Sequence, residues 1–215
     1  RLWGMTLLFA FSLLIGGCAE DNTDTTAPST EAQYVGSDAC KPCHEGVWNA
    51  TEQSGHAQML TPVANGQRPD DPTLLPDNPP PGMTWADIKY VIGGWGWRAR
   101  FVGQDGKVVK GAAAQYNVPT DQYPAGESAD DWSESITPYD YACFRCHATG
   151  PQDGSDTFAE VGVRCEACHG PGSLHAATPT RASMILDDSA ALCGRCHSRS
   201  EGGSPASPPT DTFIH

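Results

Sequence analysis

The chain has 215 residues and is short of positive charge: 13 lysines and arginines stand against 26 aspartates and glutamates, a formal net charge of −13. Nucleic acid binding needs clustered Lys and Arg, so this balance argues against it. Apolar residues are scarce too, at 39%, while glycine (23) and proline (18) are plentiful. Fixing so glycine-rich a backbone costs more conformational entropy than such a composition offsets by burial. A sheet or bundle closed around a large apolar core is therefore not expected. No long hydrophobic run is present either. The apolar stretch from Leu2 to Gly17 is roughly 15 residues, and a comfortable membrane-spanning helix needs about 20. What remains is an acidic, loop-rich chain that needs something besides side chains to hold it together.

That apolar stretch follows Arg1, and no further charge occurs until Glu20. A basic residue ahead of a short apolar segment reads as a secretory signal peptide over residues 1–17, with a residue or two expected upstream of Arg1. Ile15-Gly16-Gly17-Cys18 resembles a bacterial lipobox, in which Cys18 is lipidated and begins the mature chain. Ordinary cleavage near Gly17 is the alternative. A diacylglyceryl, N-acylated cysteine would hold a membrane firmly. Residues 18–33 read as a lipid-anchored polar tether without periodicity, and residues 34–215 as one folded domain.

The other eight cysteines form four copies of one pattern: Cys40-Lys-Pro-Cys43-His44, Cys143-Phe-Arg-Cys146-His147, Cys165-Glu-Ala-Cys168-His169 and Cys193-Gly-Arg-Cys196-His197. In each, two thiols sit one turn apart and a histidine follows directly. Both sulfurs can then add to the vinyl groups of one haem while the adjacent imidazole reaches the iron. A disulfide framework does not place His after every second Cys. Zinc sites do not repeat a fixed fifth residue. A thioredoxin-like redox pair occurs once, in a βαβ context absent here. Four covalently attached c-type haems follow, and they would serve as the missing core.

Four haems with two histidines each need eight, and the chain has seven. His44, His147, His169 and His197 are proximal; His56, His175 and His215 are the distal candidates, His215 being also readable as a surface histidine. One haem takes a methionine (Met59, Met83 or Met184), uses another ligand, stays open, or is completed beyond His215. If the twelve residues from His44 to His56 were helical, their imidazoles would lie about 18 Å apart, so His56 serves a different haem. His175 follows His169 across Gly170-Pro171-Gly172 and is likewise expected to reach a neighbouring haem.

Along the chain, helical segments carry the first motif to about Pro62, and residues 64–83 read as a proline-rich linker. Ile88 to Val109 bears the one strand signal. Trp95, Trp97, Ala99 and Phe101 alternate with Gly96, Arg98 and Arg100, and Gly103-Gln-Asp-Gly106 turns the chain. The two tryptophans most simply pack on a haem face. Arg98 and Arg100 either pair with haem propionates or face solvent. Proximal histidine spacings of 22 and 28 residues make the last three motifs a tight group, whereas His44 lies 103 residues before His147. The hairpin region is expected to bring the first haem in. The expected fold class is mainly α with much irregular coil and one short β-hairpin, organised around four haems.

Tyr34-Val35-Gly36-x3-Cys40-x2-Cys43-His44-x3-Trp48-x5-Ser54-x-His56-Ala57 resembles the opening of multihaem cytochromes related to the tetrahaem cytochrome of nitrifying bacteria. Gly162-Val163-x-Cys165-Glu166-Ala167-Cys168-His169-Gly170-Pro171-Gly172-x2-His175 is similar to their third-haem signature, and Leu192-Cys193-Gly194-x-Cys196-His197-Ser198-Arg199 to the next. Val91-Ile92-Gly93-Gly94, Trp97-Arg98-x-Arg100-Phe101 and Tyr141-Ala142-Cys143-Phe144-x-Cys146-His147 resemble small filament-forming tetrahaem outer-surface cytochromes of metal-reducing bacteria. The resemblance implies bis-histidine haems in stacked and T-shaped pairs, with His56 and His175 as distal ligands. In the filament-forming members a ligand is donated between subunits, a role that would suit His215.

The expected function is electron transfer across or outside the bacterial envelope without bond-making chemistry. Its partners would be redox proteins or extracellular acceptors, with the membrane engaged through Cys18 and a homopolymeric filament as one form of assembly. The alternative is a haem enzyme reducing a small nitrogen oxide at an open iron.

Overall fold

A computed structural model describes residues 31–70, 75–111, 115–123, 139–187 and 189–198. The expected signal peptide, Cys18, most of the tether and His215 lie outside these. The described residues all belong to one compact unit spanning Glu31–His215.

Among the described residues, five α-helices and six strands make up the regular structure. They run α1 (Lys41–Glu52), β1 (Leu60–Pro62), β2 (Ile88–Gly93), β3 (Arg98–Gly103), β4 (Tyr116–Asn117), α2 (Tyr141–His147), β5 (Ala148–Thr149), β6 (Glu160–Val161), α3 (Cys165–His169), α4 (Ser173–Ala177) and α5 (Ala190–His197). Short 3-10 turns and coil join them. The expected hairpin is the middle of a larger object, a four-stranded antiparallel sheet in the order β1-β2-β3-β4. Strands β5 and β6 form a separate antiparallel pair.

The strand alternation from Trp95 begins three residues late, at Arg98. Gly93 and Gly94 take left-handed φ values of 71° and 85°, and the Gly94 amide donates to the Arg98 carbonyl at 2.8 Å. A Cβ on Gly93 would lie 2.7 Å from that same oxygen. The tight reversal therefore claims Trp95 and Trp97, leaving them 36% and 65% exposed. In β2, Ile88 and Val91 are both fully buried although three apart, because the register shifts between Ile88 and Tyr90 and a bulge resets the alternation. The second turn is where the sequence places it: Gly103 donates to the Lys107 carbonyl at 2.8 Å.

Two apolar clusters flank this sheet. One joins Leu60, Val102 and Val108 to Tyr139, Phe144 and Ala148 around the second motif. The other gathers Leu75, Ile88, Val91, Ala99, Phe101 and Tyr116. The proline-rich linker is thus part of the core through Leu75. Arg68 organises it, donating to the carbonyls of Pro69, Leu75 and Pro76. The side-chain core lies with the sheet, whereas the helices carrying the other three motifs are thinly covered. Helix α1 has no buried residue at all in its twelve, α3 buries only Glu166, and α5 only Gly194.

Candidate functional site

Each Cys-x-x-Cys-His pattern lies on or at the start of a short helix that ends at or bends at its histidine. Asp140 caps α2, accepting from the Ala142 amide at 3.0 Å. Helix α1 loses helical dihedrals at His44 itself (φ −123°, ψ 35°), and α2, α3 and α5 end on His147, His169 and His197. One helical turn therefore presents two sulfurs while the helix end frees the imidazole to point away. None of the eight cysteines is in a disulfide. Among the described residues no group of three or more His, Cys, Asp or Glu is arranged to hold a bare metal ion.

The thiols interlock between motifs. Cys40 hydrogen-bonds Cys165; burial, then Cys165, then Glu166 push its thiol up to about 11. Burial, then Cys193, raises Cys168. A hydrogen bond with Cys146, then burial, raises Cys196, whose Sγ also lies 3.6 Å from the Arg145 carbonyl. Reactive redox cysteines sit in environments that depress the thiol; these are pushed the other way, against the thioredoxin-like alternative. The first motif thus docks on the third and the fourth on the second, while Cys168 of the third lies near enough to Cys193 of the fourth to feel its charge. The first motif's segment meets the hairpin through β1, which pairs with β2, and through Gly55, which lies against Trp95. That segment is also clasped by carboxylates of the third: Glu166 accepts from the amides of Val35 and Gly36, and Glu160 from the Ser37 amide and hydroxyl.

The histidines pair. His44 and His175 face each other with ring centroids 6.2 Å apart and planes inclined by 25°. His56 and His197 do so at 6.0 Å and 75°. Two imidazoles trans to one metal ion, each bound at about 2 Å, place their centroids about 6 Å apart once the ring radius is added. His56 does not face His44, nor His175 His169, in keeping with the expectation that each reaches a different motif. Second partners hold these rings. His175 Nδ1 lies 3.1 Å from the Thr180 carbonyl and 3.2 Å from Ser183 Oγ. His169 Nδ1 lies 2.9 Å from the Ile185 carbonyl. His147 Nδ1 lies 2.5 Å from the hydroxyl of buried Tyr139. A ring fixed through Nδ1 turns Nε2 outward, the arrangement usual for a metal-bound histidine.

Close packing delivers the distal rings. Gly162 has φ 75° and lies against the Ala57 carbonyl with no room for a side chain, and Val163 donates to the His56 carbonyl at 2.9 Å. Buried Thr149 bonds Gly162 and Arg164, tying the second motif to the third. Arg164 in turn pairs with Glu52 at the end of α1 and with Glu160.

The residues fit haems at these positions. Trp48 Nε1, four residues after His44, and Ser198 Oγ, next to His197, are buried without a hydrogen-bond partner, as is Thr61 Oγ1. Unmet buried donors are costly, and a flat apolar group bearing propionates would satisfy them while covering α1. Lys41 Nζ sits 4.0 Å over the Trp48 ring. Arg100 donates to Gln115 at 3.0 Å, and Arg98 stacks on Trp97 at 4.4 Å. Met83 packs against the second apolar cluster, as core filler does.

Sequence reasoning missed Tyr139, Glu160, Arg164 and Glu166 as site residues. Only the position of Glu166 between two motif cysteines could have flagged it.

Residues 112–170 match the family described as cytochrome c554 and c-prime. No curated protein sequence matches the chain. The fold is similar to that of the outer cell wall cytochrome OcwA, at TM-score 0.62 and 27% identity over 85% of this chain and 42% of that one. An undecahaem cytochrome from the S-layer of Carboxydothermus ferrireducens shares the fold at TM-score 0.56 and 22% identity, over 80% of this chain and 26% of that one. The chain therefore spans under half the length of either. With its four Cys-x-x-Cys-His patterns and paired imidazoles, it resembles the multihaem c-type cytochromes.

Proposed function

We propose that the chain is a tetrahaem electron carrier of the bacterial cell surface. Cys40 and Cys43, Cys143 and Cys146, Cys165 and Cys168, and Cys193 and Cys196 would each hold one haem. His44, His147, His169 and His197 are the proximal ligands, with His175 opposite His44 and His56 opposite His197. The haem, when bound, supplies a one-electron iron couple. The protein fixes both imidazoles of each pair, which would close the iron to substrate, and keeps neighbouring attachment points together through the hydrogen bonds of Cys40 with Cys165 and of Cys196 with Cys146. The observation that carries the reading is the imidazole separation of 6.2 and 6.0 Å at two sites built from distant segments. The names of the two similar structures, an outer cell wall and an S-layer cytochrome, support export and surface placement. Lipidated Cys18 would anchor the chain to a membrane, and its acidic surface favours a basic redox partner.

Mass spectrometry and a haem assay of the purified protein test the count. Four haems per chain are expected; fewer than three would sink the reading. Seven histidines for four haems support one alternative, an enzyme with an open iron at the second or third motif. Carbon monoxide added to the reduced protein decides this. Stoichiometric binding to one haem favours the enzyme, and no binding favours the carrier, with His215 and one further ligand such as a methionine completing the set.

A further inference from the structure

Glu166 is the only charged side chain fully buried among the described residues, at 2% exposure. Its carboxylate accepts four hydrogen bonds, all from backbone amides. They come from Val35, at 3.0 and 3.2 Å to its two oxygens, Gly36 at 2.8 Å and Gly172 at 2.7 Å. Among the described residues no cation pairs with it, since the nearby Arg164 pairs with Glu52 and Glu160. A buried carboxylate without a counter-cation has its desolvation only partly offset by such amides. Clasping a turn does not require a charge.

The placement is specific. Glu166 lies between Cys165 and Cys168 of the third motif. Val35 and Gly36 lead through a single 3-10 turn to Cys40 of the first, and Gly172 precedes α4, which carries His175 opposite His44. The carboxylate thus touches every segment that builds the first site, from within the third.

We propose that Glu166 is a fixed internal anion that lowers the reduction potentials of the haems held by the first and third motifs. The inference rests on the four-haem reading above. On reduction each iron passes from Fe(III) to Fe(II) by accepting one electron, so a nearby negative charge favours the oxidised, more positive state. With water excluded, that field is weakly screened. The same field is among the causes that raise the Cys40 thiol, after burial and Cys165, and Cys40 is a haem attachment atom.

The test is a spectroelectrochemical titration of the haem-loaded protein, with electrons supplied by the electrode and haem content checked first by mass. A wild type without haem refutes the four-haem reading itself; loaded protein with unshifted potentials refutes only this inference. In Glu166→Gln, two of the redox waves should move positive while the others stay. In Val35→Pro, which deletes an amide donor but keeps the charge, the same waves should move negative, because fewer dipoles offset the carboxylate. Opposite signs from one clasp cannot come from loosening alone. Glu160→Gln, which frees the same segment at an anion already paired with Arg164, should leave the waves in place; a shift equal to that of Glu166→Gln overturns the proposal. If Glu166→Gln does not accumulate with haem, the sign in Val35→Pro decides, and an unmoved or positive shift overturns it.

Discussion

At the scale of single residues, the two imidazole pairs differ in a way spectroscopy reads. The planes of His44 and His175 are 25° from parallel, whereas those of His56 and His197 are 75° apart. Near-perpendicular axial rings give the more anisotropic low-spin ferric signal. His56→Ala should therefore remove the most anisotropic component of the electron paramagnetic resonance spectrum, and His175→Ala a rhombic one, each converting one haem to high spin. An unchanged low-spin count in either variant would refute that pairing. Tyr139 offers a subtler case. Were a haem iron held by His147 Nε2, Nδ1 would carry the proton and the phenol oxygen 2.5 Å away would accept it. Such acceptance makes the ring a stronger donor and lowers the potential. Tyr139→Phe keeps the ring contact with Phe144 and should raise the potential of a single haem, read by the same titration.

Among the elements, the β6–α3 connection is the most sensitive. Gly162→Ala would force a side chain into φ 75° and against the Ala57 carbonyl, at about 2 kcal/mol or more. Because Ala57 follows His56, loss of one low-spin haem should accompany the fall in denaturation midpoint. The sheet makes a separate prediction. Burial, then the hydrogen bond to Asp121, raises Tyr116 from 10.0 to about 12. Burial also raises Tyr123. The folded state holds these protons more tightly than the unfolded one, so their contribution is fully present below pH about 10 and fades as pH rises toward about 12. Tyr116→Phe should flatten that alkaline loss in a denaturation series. These features also mark how far sequence reading reaches. Cysteine spacing made the four Cys-x-x-Cys-His patterns legible, since such a pattern is local, and the histidine arithmetic called for further rings from elsewhere. The docking of the first motif on the third was not legible, because it depends on backbone amides and carboxylates meeting across more than a hundred residues. Nor was the sheet beyond its hairpin: β1 and β4 are three and two residues long, too short to alternate.

For the whole molecule, a net charge of −13 without clustered basic residues implies steering of cationic partners. Second-order electron transfer to a basic redox protein should slow about tenfold between low and physiological ionic strength. A rate independent of salt, measured by stopped flow, would place the docking face elsewhere than on this acidic surface. The Glu166 clasp also joins residues 131 apart, and this bears on how the protein is made. The first motif leaves the ribosome well before the segment that seats it. Loop-closure entropy delays contacts of such separation until late. Haem attachment at Cys40 and Cys43 would therefore take place on an open chain, with the amino-terminal arm closing last, as a latch.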